Sequence, residues 1–289
     1  MGAKISIITP AYNAERFIES CIKSVIDQAY LDVEHLIIDG GSTDRTVEII
    51  QRYAETRPHI RWISERDNGQ SDAMNKGILM AGGVIIGILN ADDFYEPNTL
   101  NRVSEIFITL PEPSLLVGNC KVIDENGSLL WLNKPHVKFH QLLQVWRYRM
   151  PNNPSSYFYH RSLHNKIGAY DTDEHYVMDY DFLLRAFQAS KVTYVDETFG
   201  DYRMYAGTKT SESVAQGNQW DMICRLSLKY AAQKGALYNL YMGLSIALLH
   251  ESLKNIQAPS LSLRMKWRLM RDGLKMFDKL VESMERIRG

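Results

Sequence analysis

The chain has 289 residues, with 33 Lys and Arg against 34 Asp and Glu, and a net charge of −1 at pH 7. Such a balance supplies no overall field to gather nucleic acid or an acidic partner. Three scattered cysteines, Cys21, Cys120 and Cys224, argue against a disulfide framework or a zinc site and point to a reducing cytoplasm.

A hydrophobic content of 45% with 23% charged residues suits a soluble globular chain. No stretch reaches the roughly 18 apolar residues of a spanning helix. Met1-Gly2-Ala3-Lys4 leads straight into a strand-like segment with no signal peptide.

Lys4 to Thr9 is short, apolar and β-branched, which predicts a buried strand broken by Pro10-Ala11-Tyr12-Asn13. From Ala14 to Gln28, Phe17, Ile18, Cys21, Ile22, Val25 and Ile26 fall on one face of an amphipathic helix. A strand over Val33 to Ile38 runs into Asp39-Gly40-Gly41-Ser42-Thr43-Asp44. The glycines permit a tight turn, and Ser42, Thr43 or Asp44 can cap a helix over Arg45 to Glu55. Ile60 to Ser64 is a third strand, followed by the turn Arg66-Asp67-Asn68-Gly69 and a helix over Gln70 to Met80. This alternation predicts a parallel sheet with right-handed crossovers.

Val84 to Leu89 is a continuous apolar run, as in a central strand. It delivers Asn90-Ala91-Asp92-Asp93 to its carboxyl end, the edge where open α/β sheets bind ligands. Adjacent carboxylates repel unless a cation or donors compensate, and oxygen ligands suit Mg or Mn carrying a diphosphate. The same residues also suit an ordinary turn with a helix cap.

Pro97 opens a helix to about Leu110, and Pro111-Glu112-Pro113 ends it. Leu115 to Ile123 and Leu129 to Leu132 flank Asp124-Glu125-Asn126-Gly127, a hairpin that makes the sheet mixed. Met150 to Ser156 is a loop, and Arg161 to Ile167 is a helical piece closed by Gly168. Asp179 to Ala189 is a helix, Lys191 to Val195 a strand, and Gly200 to Ser213 polar and irregular. Beyond Gln216 the chain is helical, with Leu240 to Leu249 as a core helix. Ser260 to Gly289 is basic and amphipathic, fit either to pack on the main domain or to lie on an anionic membrane. The expected division is 1–215 and 216–289.

Several stretches together resemble the inverting family 2 glycosyltransferases with a GT-A fold, of the bacterial cell-surface polysaccharide type. They are Ser6 to Asn13, Ile37 to Asp44, Asp67 to Gly77, Leu89 to Asp93, Gly168 to Asp171, Met178 to Asp181 with Arg185, and Tyr202-Arg203. The resemblance implies an α/β, Rossmann-like, mostly parallel sheet flanked by helices, with a C-terminal helical extension. It implies transfer of a sugar from a nucleoside diphosphate donor, a UDP-sugar above all, to an acceptor hydroxyl in O-antigen, capsule or exopolysaccharide synthesis. Mn2+ or Mg2+ would be the cofactor and a glycan or lipid-linked molecule the acceptor. The place would be the cytoplasm, with peripheral membrane contact through the C-terminal helices and room for homo-oligomers.

By the same resemblance Thr9, Pro10 and Tyr12 form a nucleoside wall, Asp39 bonds the base edge, and Asp67 with the Asn75 helix closes the other side. Asn90 stands where the family usually has the first Asp of Asp-x-Asp, and Asp92 matches the metal-ligating Asp. Asp93 joins the donor contacts, and Arg203 either holds phosphate or stays a structural pair. Restoring the usual charge with Asn90→Asp should then be tolerated. Asp179 matches the catalytic base of a Glu-Asp pair whose Glu is replaced by Met178, and Tyr205 stands where relatives often carry a His. From the residues alone, Asp179 also suits an N-cap.

Two other functions compete. A sugar nucleotidyltransferase shares the build and a metal-binding Asp, but this chain has no early glycine-rich basic loop for a triphosphate. A nucleotide-sugar-binding protein without transferase activity is compatible with Asn90 and Met178.

Overall fold

Nine strands form one sheet: β1 (Ile5–Ala11), β2 (Val33–Asp39), β3 (Ile60–Ser64), β4 (Ile85–Ile88), β5 (Phe94–Tyr95), β6 (Ser114–Ile123), β7 (Leu129–Asn133), β8 (Tyr157–His160) and β9 (Lys191–Arg203). The structure is a computed structural model and describes residues 3–145, 147–209, 211 and 219–254. The basic segment after Ser260 lies outside the described residues. Strand order is β3-β2-β1-β4-β8-β6-β9-β5, with β7 on β6. The first four are parallel, β8 runs against both β4 and β6, and β6 lies parallel to β9.

Helices α1 (Ile18–Ile26), α2 (Thr46–Ala54), α3 (Gln70–Met80) and α4 (Thr99–Phe107) supply the crossovers. Their apolar faces and the strands bury Ile5, Ile7, Leu89, Leu100 and Phe158 in one cluster and Ile18, Ile22, Ile37 and Ile50 in another. Gly77 lets α3 lie close on β1, because a Cβ there would strike the Ile8 side chain. The parallel strands therefore end together, with their loops on one edge.

Three differences from the sequence pattern bear on function. β9 continues to Arg203 instead of stopping at Val195, because Asn119 to Ile123 of β6 gives Thr198 to Arg203 a partner. Tyr157–His160, which follows the expected loop over Met150 to Ser156, is a buried strand with no assignment of its own in the sequence pattern. After the short α6 (His164–Ile167), α7 (Met178–Ala189) begins one residue early, with Val177 at the cap position. Asp179 therefore lies within the first turn and makes no capping bond.

The chain clusters into two units: Met1–His136 with Pro151–Gln219, and Val137–Met150 with Trp220–Gly289. The second holds α5 (Phe139–Leu142), α8 (Gln219–Gln233) and α9 (Ala236–Lys254). Within it the Tyr241 hydroxyl donates to Gln144 Oε1 at 2.8 Å, and Lys234 lies 5.0 Å from the Phe139 ring centroid. α9 is only half a core helix, since Leu240 and Leu244 are exposed. Among the described residues no helix is long and apolar enough to cross a membrane.

Candidate active site

A cavity of about 1170 Å³ opens in the first unit at the carboxyl ends of the parallel strands. Pro10, Tyr12, Asp67, Asn90, Asp92 and Asp179 line it, so six of the expected residues come together from separate parts of the chain. Tyr12 is 64% exposed on the loop after β1. That loop is tied to the β2–α2 turn: Thr43 N–H donates to Asn13 Oδ1 at 2.9 Å, and Arg45 N–H donates to Glu15 Oε2 at 2.9 Å.

Asp92 is partly buried, and the Tyr205 hydroxyl donates to its Oδ2 at 3.2 Å. Burial raises its pKa above the ordinary range, with Tyr205 and the Arg203 guanidinium pulling back. Asp93, by contrast, is fully buried and does not line the cavity. It accepts from Asn90 Nδ2 at 2.9 Å, Asn153 Nδ2 at 2.7 Å and Arg203 N–H at 2.9 Å. Burial and Asp92 push its pKa well up, and these three donors offset part of that. Asp93 is thus a support that joins the Asn90 turn to the loop after Met150 and to β9.

Four further expected contacts also lie behind the wall. Thr9 is buried, its hydroxyl 2.9 Å from His35 Nε2. Asp39 is buried, and its carboxylate accepts from Gly41 and Ser42 N–H, from the Ser42 hydroxyl and from the Ser64 hydroxyl. It shapes the Gly40-Gly41 rim, which does line the cavity, while its own side chain is not among the lining residues. Asn75 spans both backbone groups of Tyr170, at 2.9 and 2.8 Å. Arg203 donates to the Asp92 backbone carbonyl at 3.1 Å and lies 4.5 Å from the Phe17 ring centroid. In each case the side chain finds its partners inside the protein, which the sequence motif does not reveal.

Asp179 faces the cavity from α7, and its Oδ1 is buried with no hydrogen-bond partner among the described residues. Desolvation pushes its pKa up to about 6, with the Lys209 ammonium and the Tyr157 hydroxyl pulling back. Asp181 is taken by Arg185, whose Nε donates to it at 2.8 Å. A carboxylate with a bare oxygen and a raised pKa, aimed into a cavity, can accept a proton from a bound hydroxyl.

Several lining residues carried no expected role. Gln70 donates to Asn90 Oδ1 at 2.9 Å and sits at the N-terminus of α3. Gly69, at φ +106°, starts that helix against the His175 ring, where a Cβ would come within 2.7 Å. Lys209 and Arg16 bring cations to the cavity. Lys209 comes from the polar stretch after Arg203, where no periodicity marks it.

Among the described residues no three His, Cys, Asp or Glu side chains form a ready metal site. Asp92 nevertheless fits a hard cation. Its desolvated carboxylate faces the cavity with one long hydrogen bond, and Mg2+ characteristically takes one or two carboxylates with water and substrate phosphates.

The family model for glycosyl transferase family 2 matches residues 6–168. A PGL/p-HBAD biosynthesis glycosyltransferase of Mycobacterium bovis is 33% identical over 211 residues, 70% of this chain and 77% of the relative. A chondroitin synthase of Escherichia coli is 33% identical over 126 residues, 44% of this chain and 18% of the relative, so this chain spans less than a fifth of that protein. Among solved structures, Staphylococcus aureus TarS 1-349 in complex with UDP-GlcNAc has a TM-score of 0.63 at 17% identity, covering 92% of this chain and 79% of that one. The mannosyltransferase PcManGT of Pyrobaculum calidifontis, in complex with GDP-Man and Mn2+, has 0.57 at 18% identity, covering 97% and 86%. At these identities the structural likeness shows the fold, which is GT-A.

Proposed function

Since the chain belongs to glycosyl transferase family 2, we propose that it moves a sugar from a UDP-sugar to an acceptor hydroxyl with inversion at the anomeric carbon. The observation that carries this reading is the pairing, in one cavity, of Asp92 with the uncapped Asp179. Asp179 takes the proton as the acceptor oxygen bonds to the anomeric carbon. The bond from that carbon to the diphosphate breaks, and its electron pair leaves with the nucleoside diphosphate. Attack opposite the leaving group inverts the configuration.

Tyr12, Pro10 and the Gly40-Gly41 rim would form the nucleoside side of the cavity, with Asp67 and the start of α3 facing them. Asp39, Thr9, Asn75, Asp93 and Arg203 act from behind by fixing those loops. Asp92 would hold Mn2+ or Mg2+ with the diphosphate oxygens, and the cation would offset charge on the leaving group. Donors described for the structural neighbours, UDP-GlcNAc in one and GDP-Man with Mn2+ in another, support a nucleotide-sugar donor and a divalent metal.

The acceptor in this reading is a glycan or lipid-linked molecule of a bacterial surface polysaccharide. Synthesis takes place in the cytoplasm, with the C-terminal segment at the inner face of the membrane. A thermal-shift screen of nucleotide sugars with Mn2+, followed by product analysis, tests it, because any ligand of the native state raises its apparent stability. Release of a nucleoside diphosphate with a glycosylated product is the expected result. Pyrophosphate release would identify a nucleotidyltransferase, and binding without turnover a nucleotide-sugar-binding protein.

A further inference from the structure

We propose that Lys209 recognises an anionic oxygen of a substrate, on a phosphate or carboxylate group, at the Asp179 end of the cavity. This deepens the transferase reading and rests on it for the role of Asp179.

Lys209 lines the cavity and is partly buried. Its Nζ lies 3.8 Å from Met178 Sδ, a weak acceptor, and 5.7 Å from the Tyr176 ring centroid. Among the described residues it makes no ion pair. The other cations near the cavity differ. Arg16 pairs with Glu125 at 2.8 Å, Lys76 with Glu65 at 2.8 Å, and Arg66 is exposed to water. A half-buried ammonium without a counter-ion is costly, and a bound anion removes that cost. Desolvation accordingly lowers the Lys209 pKa, while Asp179 and Asp67 raise it from a distance. Lys209 in turn holds the nearby His175 below its ordinary range, so the ammonium, and not the imidazole, is the cation at this end.

Position narrows the ligand. Met178 directly precedes Asp179 on α7, so the ammonium flanks the proposed base. Asp92 is instead contacted by Tyr205 and Arg203. A Glu at position 178, as the family resemblance leads one to expect, would lie beside Lys209 and neutralise it. The thioether is only a weak, uncharged acceptor and leaves the ammonium charge for the substrate. The anion has two sources: an acidic group on the acceptor, next to the hydroxyl that Asp179 meets, or the donor diphosphate.

Lys209→Met and Lys209→Arg separate them in the full chain. One arm measures UDP and uridine by calorimetry with Mn2+. The other measures glucuronate and glucose by ligand-observed NMR. Loss of a charge-assisted contact weakens binding about tenfold or more. If the acceptor supplies the anion, wild type prefers glucuronate to glucose, Lys209→Met loses the preference and Lys209→Arg keeps it. If the diphosphate supplies it, Lys209→Met weakens UDP and leaves uridine unchanged. Unchanged UDP affinity together with no Lys209-dependent preference for glucuronate overturns the proposal. Melting temperatures close to wild type certify that both variants are folded. A wild-type chain that binds no UDP refutes the donor assignment, while the glucuronate arm still tests Lys209.

Discussion

Asn90 is held at both ends of its amide: Oδ1 accepts from Gln70, and Nδ2 donates to Asp93, each at 2.9 Å. Counting charges in the motif favours Asn90→Asp, but these two bonds argue against it. The new carboxylate would face buried Asp93 with no proton to give. Two carboxylates in contact disfavour each other's charged forms, so calorimetry should show weaker donor binding and the melting temperature should drop. Equal or tighter binding would mean that a cation in the cavity outweighs the Asp93 contact. Asp92→Ala is expected to abolish the Mn2+-dependent part of donor affinity while sparing the metal-free part. A titration with and without Mn2+ checks this, and an unchanged increment removes Asp92 as the ligand. At this scale the sequence located the cluster but not the direction of each side chain. Asp92 and Asp93 are adjacent and alike in sequence, yet one faces the cavity and the other holds up the turn. That difference comes from Asn153 and Arg203, which are distant in the chain.

The first turn of α7 sets the pH behaviour. Asp179 titrates near 6 because desolvation penalises its charged form. As a general base it must be ionised, so the transfer rate should fall about tenfold per pH unit below that value. Asp179→Asn should cost about 10²–10⁴ in kcat with donor affinity intact, and a variant keeping more than a tenth of the rate would shift attention to another residue. Stability moves the other way. The folded pKa is raised from 3.8, so the penalty on the native state appears as pH rises from about 4 to about 6 and persists above it. After allowance for partial exposure, Asp179→Asn should raise stability by about 1–2 kcal/mol at pH 8 and change little at pH 4. Paired thermal melts at the two pH values test the sign. Elements with strong local patterns, such as α2, α3 and β4, were legible in the sequence. β9 beyond Val195 was not, because Glu197, Asp201 and Arg203 give no alternation and the strand depends on pairing with β6, far away in sequence. Lys209 lies just past that misread strand, which is why its place in the cavity was hidden as well.

At the scale of the whole chain, sequence order suggests a catalytic part ending near residue 215 and a helical part after it. The contact pattern interrupts that order, grouping Val137–Met150 with the chain from Trp220 onward. The segment contains one turn of helix, too short for a periodic signal, so nothing local assigns it to the second unit. Its His140, Leu142, Leu143 and Gln144 are nevertheless buried. Gln144 is bonded by Tyr241 at 2.8 Å, and the Arg147 guanidinium donates to the Tyr241 hydroxyl at 3.0 Å. A chain cut after residue 215 keeps every cavity residue named above but removes α8 and α9 from around this segment. If the cut exposes Leu142 and Leu143, it forfeits about 3 kcal/mol or more of hydrophobic burial. For a chain of this size that amounts to roughly 6–12 °C in melting temperature. The shortened chain should therefore melt lower and aggregate sooner than the full one while still binding donor at low temperature. Calorimetric melts of the two chains decide the point. Equal midpoints would show that residues 137–150 are stable without the C-terminal helices, and that 1–215 folds as an independent catalytic domain.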